Sequence, residues 1–155
     1  MGFAGSLEPV AFTGSLFGAA CPGRGVAAGL ILPYANTEAM NLHLAEIAAA
    51  VAPGAHAVLV LDGAGWHGGK DLLVPHNITP LTLPPPDRVR GRHYSSELTP
   101  VANVWQYLRA NKLANTVFNV CGEILDQCTA AWNFFANDPA AIASITAREW
   151  AEVNL

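Results

Sequence analysis

Charged residues are scarce in this sequence. Asp, Glu, Lys and Arg make up only 13% of its 155 residues, whereas 52% are hydrophobic. A chain this apolar buries enough surface to fold, which excludes an intrinsically disordered protein. Its 8 basic residues, against 12 acidic ones, also exclude a strongly basic protein that wraps nucleic acid by displacing counterions. At this length we expect a single domain, spanning residues 1–155.

Cysteines and long apolar runs are also few. Cys21, Cys121 and Cys128 form an odd, sparse set that excludes a disulfide framework and matches no zinc spacing. Cys121 and Cys128 would share a helix face, either as small buried apolar residues or as a metal or redox pair. Gly, Pro or charge interrupts every apolar run before the roughly 18 residues of a membrane span. We therefore expect a cytoplasmic protein without a membrane segment.

The apolar pattern predicts strands first and helices later. A Pro- and Gly-containing turn at residues 21–25 separates two apolar runs, which indicates a β-hairpin. Asn36 is the expected N-cap of a helix that Pro53-Gly54 ends. The continuous apolar run at 57–61 predicts a strand buried on both faces. The four predicted strands span residues 10–20, 26–32, 57–61 and 78–83.

Three further helices are predicted in the second half of the chain. Thr99-Pro100 is a favourable helix start, residues 121–135 repeat apolar side chains at helical spacing, and Asp138-Pro139 caps a last short helix. Trp105, Trp132 and Trp150 occupy positions typical of core packing. The order of elements predicts an α/β fold in which helices flank a mixed sheet.

The chemically informative segment follows the third predicted strand and reads DGAGWHGG from Asp62. Gly63, Gly65 and Gly68 match the GxGxxG pattern of dinucleotide-binding proteins, but Pro75 interrupts the long helix that this pattern requires. In the other interpretation, Asp62 is a carboxylate at the end of a central strand, suited to a hard cation such as Mg²⁺. A third possibility is that Asp62 only caps the turn.

Residues 16–153 resemble the catalytic region of bacterial insertion-sequence transposases of the mariner-like superfamily, whose catalytic domain is RNase H-like. The order of a strand followed by DGAGWH and then a Pro-x-x-Asn-Val-Trp block is the most specific part of the resemblance. The matching pieces are 31–40 (ILPYANTEAM), 58–67 (VLVLDGAGWH), 83–85 (LPP), 96–100 (SELTP), 101–108 (VANVWQYL) and 148–150 (REW).

The resemblance implies cleavage and transfer of DNA strands by two Mg²⁺ ions that three carboxylates hold. Asp62 matches the second carboxylate and is the expected metal ligand, and His67 is a candidate for contacting a phosphate or orienting a ligand. Ala102 stands where the family has its third carboxylate, and a methyl group cannot ligate a metal. Glu97, before the helix cap, is poorly placed to substitute for it. The first carboxylate and the family's helix-turn-helix region are expected to be absent from this chain, and the first strand is expected to be missing or degenerate.

Basic residues cluster in an apparent eight-residue insertion at 86–93, which carries Arg88, Arg90 and Arg92. They form either a phosphate-binding loop or a drifted, solvated loop. Arg109 and Lys112, one helical turn apart, are further candidates for DNA contacts or for a solvated helix face.

The resemblance therefore implies a truncated and inactive transposase domain, from a family whose substrate is transposon-end DNA. The alternative is a non-enzymatic partner that inhibits an intact transposase or associates with its own copies, because a missing strand would expose a sheet edge.

Overall fold

The computed structural model describes residues 14–61, 69–83, 100–113 and 121–147. Within these ranges the chain is a mixed α/β protein with two small sheets and four helices, which is compatible with the predicted α/β class. The sequence predicts one mixed sheet, whereas the described strands form two separate two-stranded sheets. None of the described helices is long and apolar enough to cross a membrane. The elements are β1 (Ser15–Cys21), a 3-10 turn (Pro22–Arg24), β2 (Val26–Leu32), α1 (Thr37–Ala50), β3 (Ala57–Leu61), β4 (Ile78–Thr82), α2 (Pro100–Asn111), α3 (Cys121–Ala136) and α4 (Pro139–Thr146).

Strands β1 and β2 form the predicted antiparallel hairpin, paired from Ser15 opposite Leu32 to Cys21 opposite Val26. Gly25 closes the turn in the left-handed region, at φ 60°. A Cβ at this position would also lie 2.7 Å from the Cβ of Pro139, at the start of α4. Both the backbone conformation and the close approach of α4 therefore require glycine here.

Two helices begin as the sequence predicts, each with a side chain that accepts a hydrogen bond from the first turn. Asn36 Oδ1 accepts from the backbone N–H of Ala39 at 2.8 Å, at the start of α1. Asp138 Oδ1 accepts from the N–H of Ala141 at 2.9 Å, at the start of α4. Each cap pairs a backbone donor that the helix itself leaves without a partner.

Helix α1 covers one face of both sheets. Its buried side chains Met40, Leu44 and Ile47 form a cluster with Leu61 of β3 and Ile78 of β4. Phe17 and Ala19 of β1 and Ala28 of β2 pack against the same cluster. The hairpin and the β3–β4 pair are therefore held under a single helix.

The opposite face of the hairpin receives the indole of Trp132 from α3. Gly18 and Gly29 lie opposite each other in the ladder, and a Cβ on Gly18 would come 2.8 Å from the Trp132 ring. Trp105 of α2 and Phe135 of α3 contact the same indole, with ring centroids 5.8 and 5.7 Å away. The hairpin thus lies between α1 on one side and the α2–α3–α4 layer on the other.

Strands β3 and β4 run parallel, paired from Ala57 opposite Ile78 to Leu61 opposite Thr82. The expectation that 57–61 is buried on both faces is wrong, because Val58 is 64% exposed. The physical reason is the distribution of the helices. Helix α1 covers the side of Leu59 and Leu61, whereas the α2–α3 layer is centred on the hairpin.

Pro80 makes β4 an outer strand. Ala57 N donates to Asn77 O and Leu83 N donates to Leu61 O, both at 2.9 Å, so the odd-numbered residues of β4 are those that bond to β3. Pro80, in the alternate position, faces away from β3 and has no N–H to offer a further strand. Any additional strand must therefore add along β3.

We predict that Gly29→Ala lowers the free energy of unfolding by about 1–3 kcal/mol, because the new methyl group overlaps the Trp132 indole. Gly23→Ala is the matched control, since a Cβ at Gly23 meets nothing within 4 Å. Urea denaturation followed by tryptophan fluorescence measures both variants. Equal stability of the two would contradict the packing of Trp132 on the hairpin.

We predict that Asn36→Ala costs about 1 kcal/mol of unfolding free energy, because the N–H of Ala39 loses its acceptor. Asn36→Asp keeps an acceptor at the same place and adds a favourable charge at the helix N-terminus, so it should retain the stability. Thermal unfolding followed by circular dichroism compares the two, and an Asp variant as unstable as the Ala variant would refute the cap.

Candidate functional site

The carboxyl ends of β3 and β4 form the edge that carries the candidate site. Leu61 is only 8% exposed and ends β3, and its carbonyl accepts the hydrogen bond from Leu83 that closes the parallel pair. Asp62 follows Leu61 directly in the chain. The carboxyl end of a parallel strand is where α/β proteins bind ligands, which is why the sequence predicts a role for the carboxylate that follows Leu61.

Residues 62–68 lie outside the described residues. The assignment of Asp62 as metal ligand, the role of His67 and the alternative of dinucleotide binding at Gly63 therefore stay predictions.

Helix α1 fixes the chain where it returns from this segment. Asn41 Oδ1 accepts from the N–H of Leu73 at 2.8 Å, and Asn41 Nδ2 donates to the carbonyl of Asp71 at 3.1 Å. Gly69 comes close to Thr37, since a Cβ on Gly69 would lie 3.3 Å from Thr37 Oγ1. Both flanks of residues 62–68 are thus attached to α1, one by burial of Leu61 and one by these contacts.

Sequence reasoning missed Asn41. The neighbouring sequence does not indicate what Asn41 does. Both of its hydrogen bonds are to the backbone of residues 30 or more positions away in the chain.

Ala102, at the position of the family's third carboxylate, lies in the first turn of α2, which begins at Pro100. A helix start at this place is what the sequence predicts. Its methyl group supplies no donor atom for a cation, whatever its distance from Asp62. Within the part of the chain that the structure describes, no group of three or more His, Cys, Asp or Glu side chains could hold a metal ion.

The predicted basic residues divide into two groups. Arg88, Arg90 and Arg92 lie outside the described ranges, so their role stays a prediction. Lys112 follows the end of α2, and its ammonium nitrogen lies 3.8 Å from the ring centroid of Phe134. This cation–π contact gives Lys112 a local partner on α3.

Arg109 is exposed on α2 at a partly open pocket of about 270 Å³, which we call the α2–α3 pocket. Cys128 is half-buried there, and burial raises the pKa of its thiol. The side chain of Cys121 is not among those described, so a pairing of the two cysteines is not tested. The pocket is lined by Leu16, Trp105, Leu108, Arg109, Leu113 and Cys128.

Comparison with known proteins finds a relative in Sinorhizobium fredii (strain NBRC 101917 / NGR234), with the name "Uncharacterized protein y4pE/y4sA". It is 52% identical to this chain over 136 residues, which cover 88% of this chain and 95% of the relative. No protein-family model and no solved structure matches the chain. Identity at this level over nearly the whole of both proteins shows common descent, and the chain belongs to the same family as y4pE/y4sA of Sinorhizobium fredii.

Proposed function

We propose that this chain is a DDE-type transposase catalytic domain of the mariner-like superfamily, with an RNase H-like fold, that has lost DNA cleavage and strand transfer. One observation carries the proposal: a parallel strand held under α1 ends at buried Leu61, directly before the Asp62 motif. This is the place that the resemblance assigns to the second metal-binding carboxylate.

The arrangement of the elements supports the RNase H-like proposal. A hairpin, a covering helix and a strand ending before Asp62 follow one another, and a helix then starts at Pro100 with Ala102 in its first turn. The resemblance expects a further strand upstream of the hairpin. Within the described residues β1 pairs only with β2, so its other edge is available to such a strand.

The residues present do not fit a pair of Mg²⁺ ions. Two-metal catalysis needs several carboxylates around the ions, and of the two family positions that match here, Asp62 supplies a carboxylate while Ala102 supplies a methyl group. We therefore derive no catalytic step for this chain. At the positions that match the family, Asp62 supplies one carboxylate and His67 one imidazole. Transposon-end DNA is the proposed former substrate.

We predict that Ala102→Glu strengthens Mn²⁺ binding at least about tenfold, because a second carboxylate then joins Asp62 around one ion. Ala102→Gln introduces a side chain of the same size without a charge, and it should increase the Mn²⁺ affinity much less. The double variant Ala102→Glu with Asp62→Asn should bind Mn²⁺ no more tightly than the unaltered chain. Calorimetric titration with Mn²⁺ compares the variants with the unaltered chain, which we expect to bind weakly and to leave supercoiled plasmid intact.

A gain in affinity that persists without Asp62 would show that the two positions do not share a metal site. Metal-dependent nicking by the unaltered chain, abolished by Asp62→Asn, would contradict the proposed loss of activity.

A second candidate function is favoured by the uncovered face of the β3–β4 pair. Val58 is 64% and Leu81 52% exposed, and the alternation of the strands places both on the face opposite α1. Pro80 restricts further strand pairing to the edge of β3. We therefore propose, as the alternative, that the chain binds an intact transposase of the same superfamily through this face and edge and inhibits it.

We predict that a tagged full-length transposase carrying the DGAGWH motif retains this chain on an affinity column. Val58→Thr with Leu81→Thr should reduce the retained fraction several-fold, because polar hydroxyls replace apolar contact area while strand propensity is kept. Leu73→Thr alters a leucine in the loop before β4 that is even more exposed (71%), and it should leave retention unchanged. Equal retention of all variants would exclude the β3–β4 face as the binding surface.

A further inference from the structure

The α2–α3 pocket combines apolar walls with one cation. Leu16 of β1 and Leu108 of α2 line it, together with Leu113 and the Trp105 ring. Leu108 is fully buried, which fixes α2 at this wall. Apolar walls with one or a few placed polar groups are the usual composition of small-molecule sites, and about 270 Å³ suits a ligand smaller than a typical drug.

Among the described residues that line the pocket, Arg109 alone carries a charge. The neighbouring cation, Lys112, lies over the Phe134 ring. The occupant that complements this pocket therefore has an apolar body and a single anionic end. A guanidinium presents two parallel N–H donors, and a planar carboxylate matches that geometry.

We propose that the α2–α3 pocket binds a medium-chain aliphatic carboxylate, with its hydrocarbon chain against Leu16, Trp105 and Leu113 and its carboxylate on Arg109. The site uses neither Asp62 nor Ala102, so it stands independently of the proposed transposase ancestry. It also gives Arg109 a role other than contact with DNA.

Occupancy of the pocket can be measured by the reactivity of one cysteine, with a second cysteine as the control. Cys128 lines the pocket and is half-buried, whereas Cys21 is exposed at the end of β1 and does not line it. We expect octanoate to slow alkylation of Cys128 by iodoacetamide several-fold and to leave Cys21 unaffected. Because burial raises the pKa of the Cys128 thiol, the reaction is run at mildly alkaline pH, and peptide mass mapping reads each cysteine separately.

The charge requirement is tested with variants and a matched ligand. Arg109→Gln should raise the octanoate concentration that gives half-protection by about tenfold or more, because a charge-assisted hydrogen bond is lost. Lys112→Gln removes a cation outside the pocket and should leave that concentration unchanged. Octan-1-ol, with the same chain and no charge, should protect Cys128 more weakly than octanoate.

The proposal is overturned if octanoate protects neither cysteine or both equally. It is also overturned if octan-1-ol protects Cys128 as well as octanoate does, or if Arg109→Gln changes nothing.

Discussion

The apolar face of α1 is the feature on which the rest of the described structure depends. Met40, Leu44 and Ile47 bury themselves against side chains of both sheets, and these are the contacts that place the β3–β4 pair beside the hairpin. The same helix carries Asn41, which holds the chain at Asp71 and Leu73 after the candidate site. One helix thus holds the two sheets together and contacts the described chain on both sides of residues 62–68.

The layer of helices α2, α3 and α4 packs closely on the hairpin because two facing residues of the hairpin are glycines. Gly18 and Gly29 leave room on the hairpin for Trp132, and the indole in turn contacts Trp105 and Phe135. Trp132 and Phe135 are buried in this layer together with the aliphatic side chains of Val104, Leu108, Ala131 and Ile142. The low charge content noted in the sequence therefore corresponds to a hairpin that is covered on both faces by helices.

Local chemistry accounts for what the sequence predicts well. Asn36 and Asp138 cap helices because their short side chains reach backbone donors three residues on, and the predicted bounds of β2 and β3 agree with the structure. Contacts distant in sequence account for the rest. Exposure of Val58 depends on which sheet the later helices cover, and the cation–π contact of Lys112 depends on how α3 lies beside the end of α2.

The candidate site was predictable only in part, because some of its contacts join residues that are distant in the sequence. A strand followed by an acidic residue is visible in the sequence. The attachment of the two flanks to α1, one through burial of Leu61 and one through Asn41, is visible only in three dimensions. The pairing of Asp62 with position 102 rests on the resemblance to transposases, because no short-range pattern connects positions 40 residues apart.

The proximity of Asp62 and Ala102 is the central claim of the proposed ancestry. An experimental structure tests it most directly, through the distance between the Asp62 carboxylate and the Cβ atom of Ala102. Ligands of one two-metal site lie about 2 Å from ions that are themselves about 4 Å apart, so we predict a separation within about 8 Å. A carboxylate of Asp62 that points to the opposite side of the sheet from Ala102 would contradict the account.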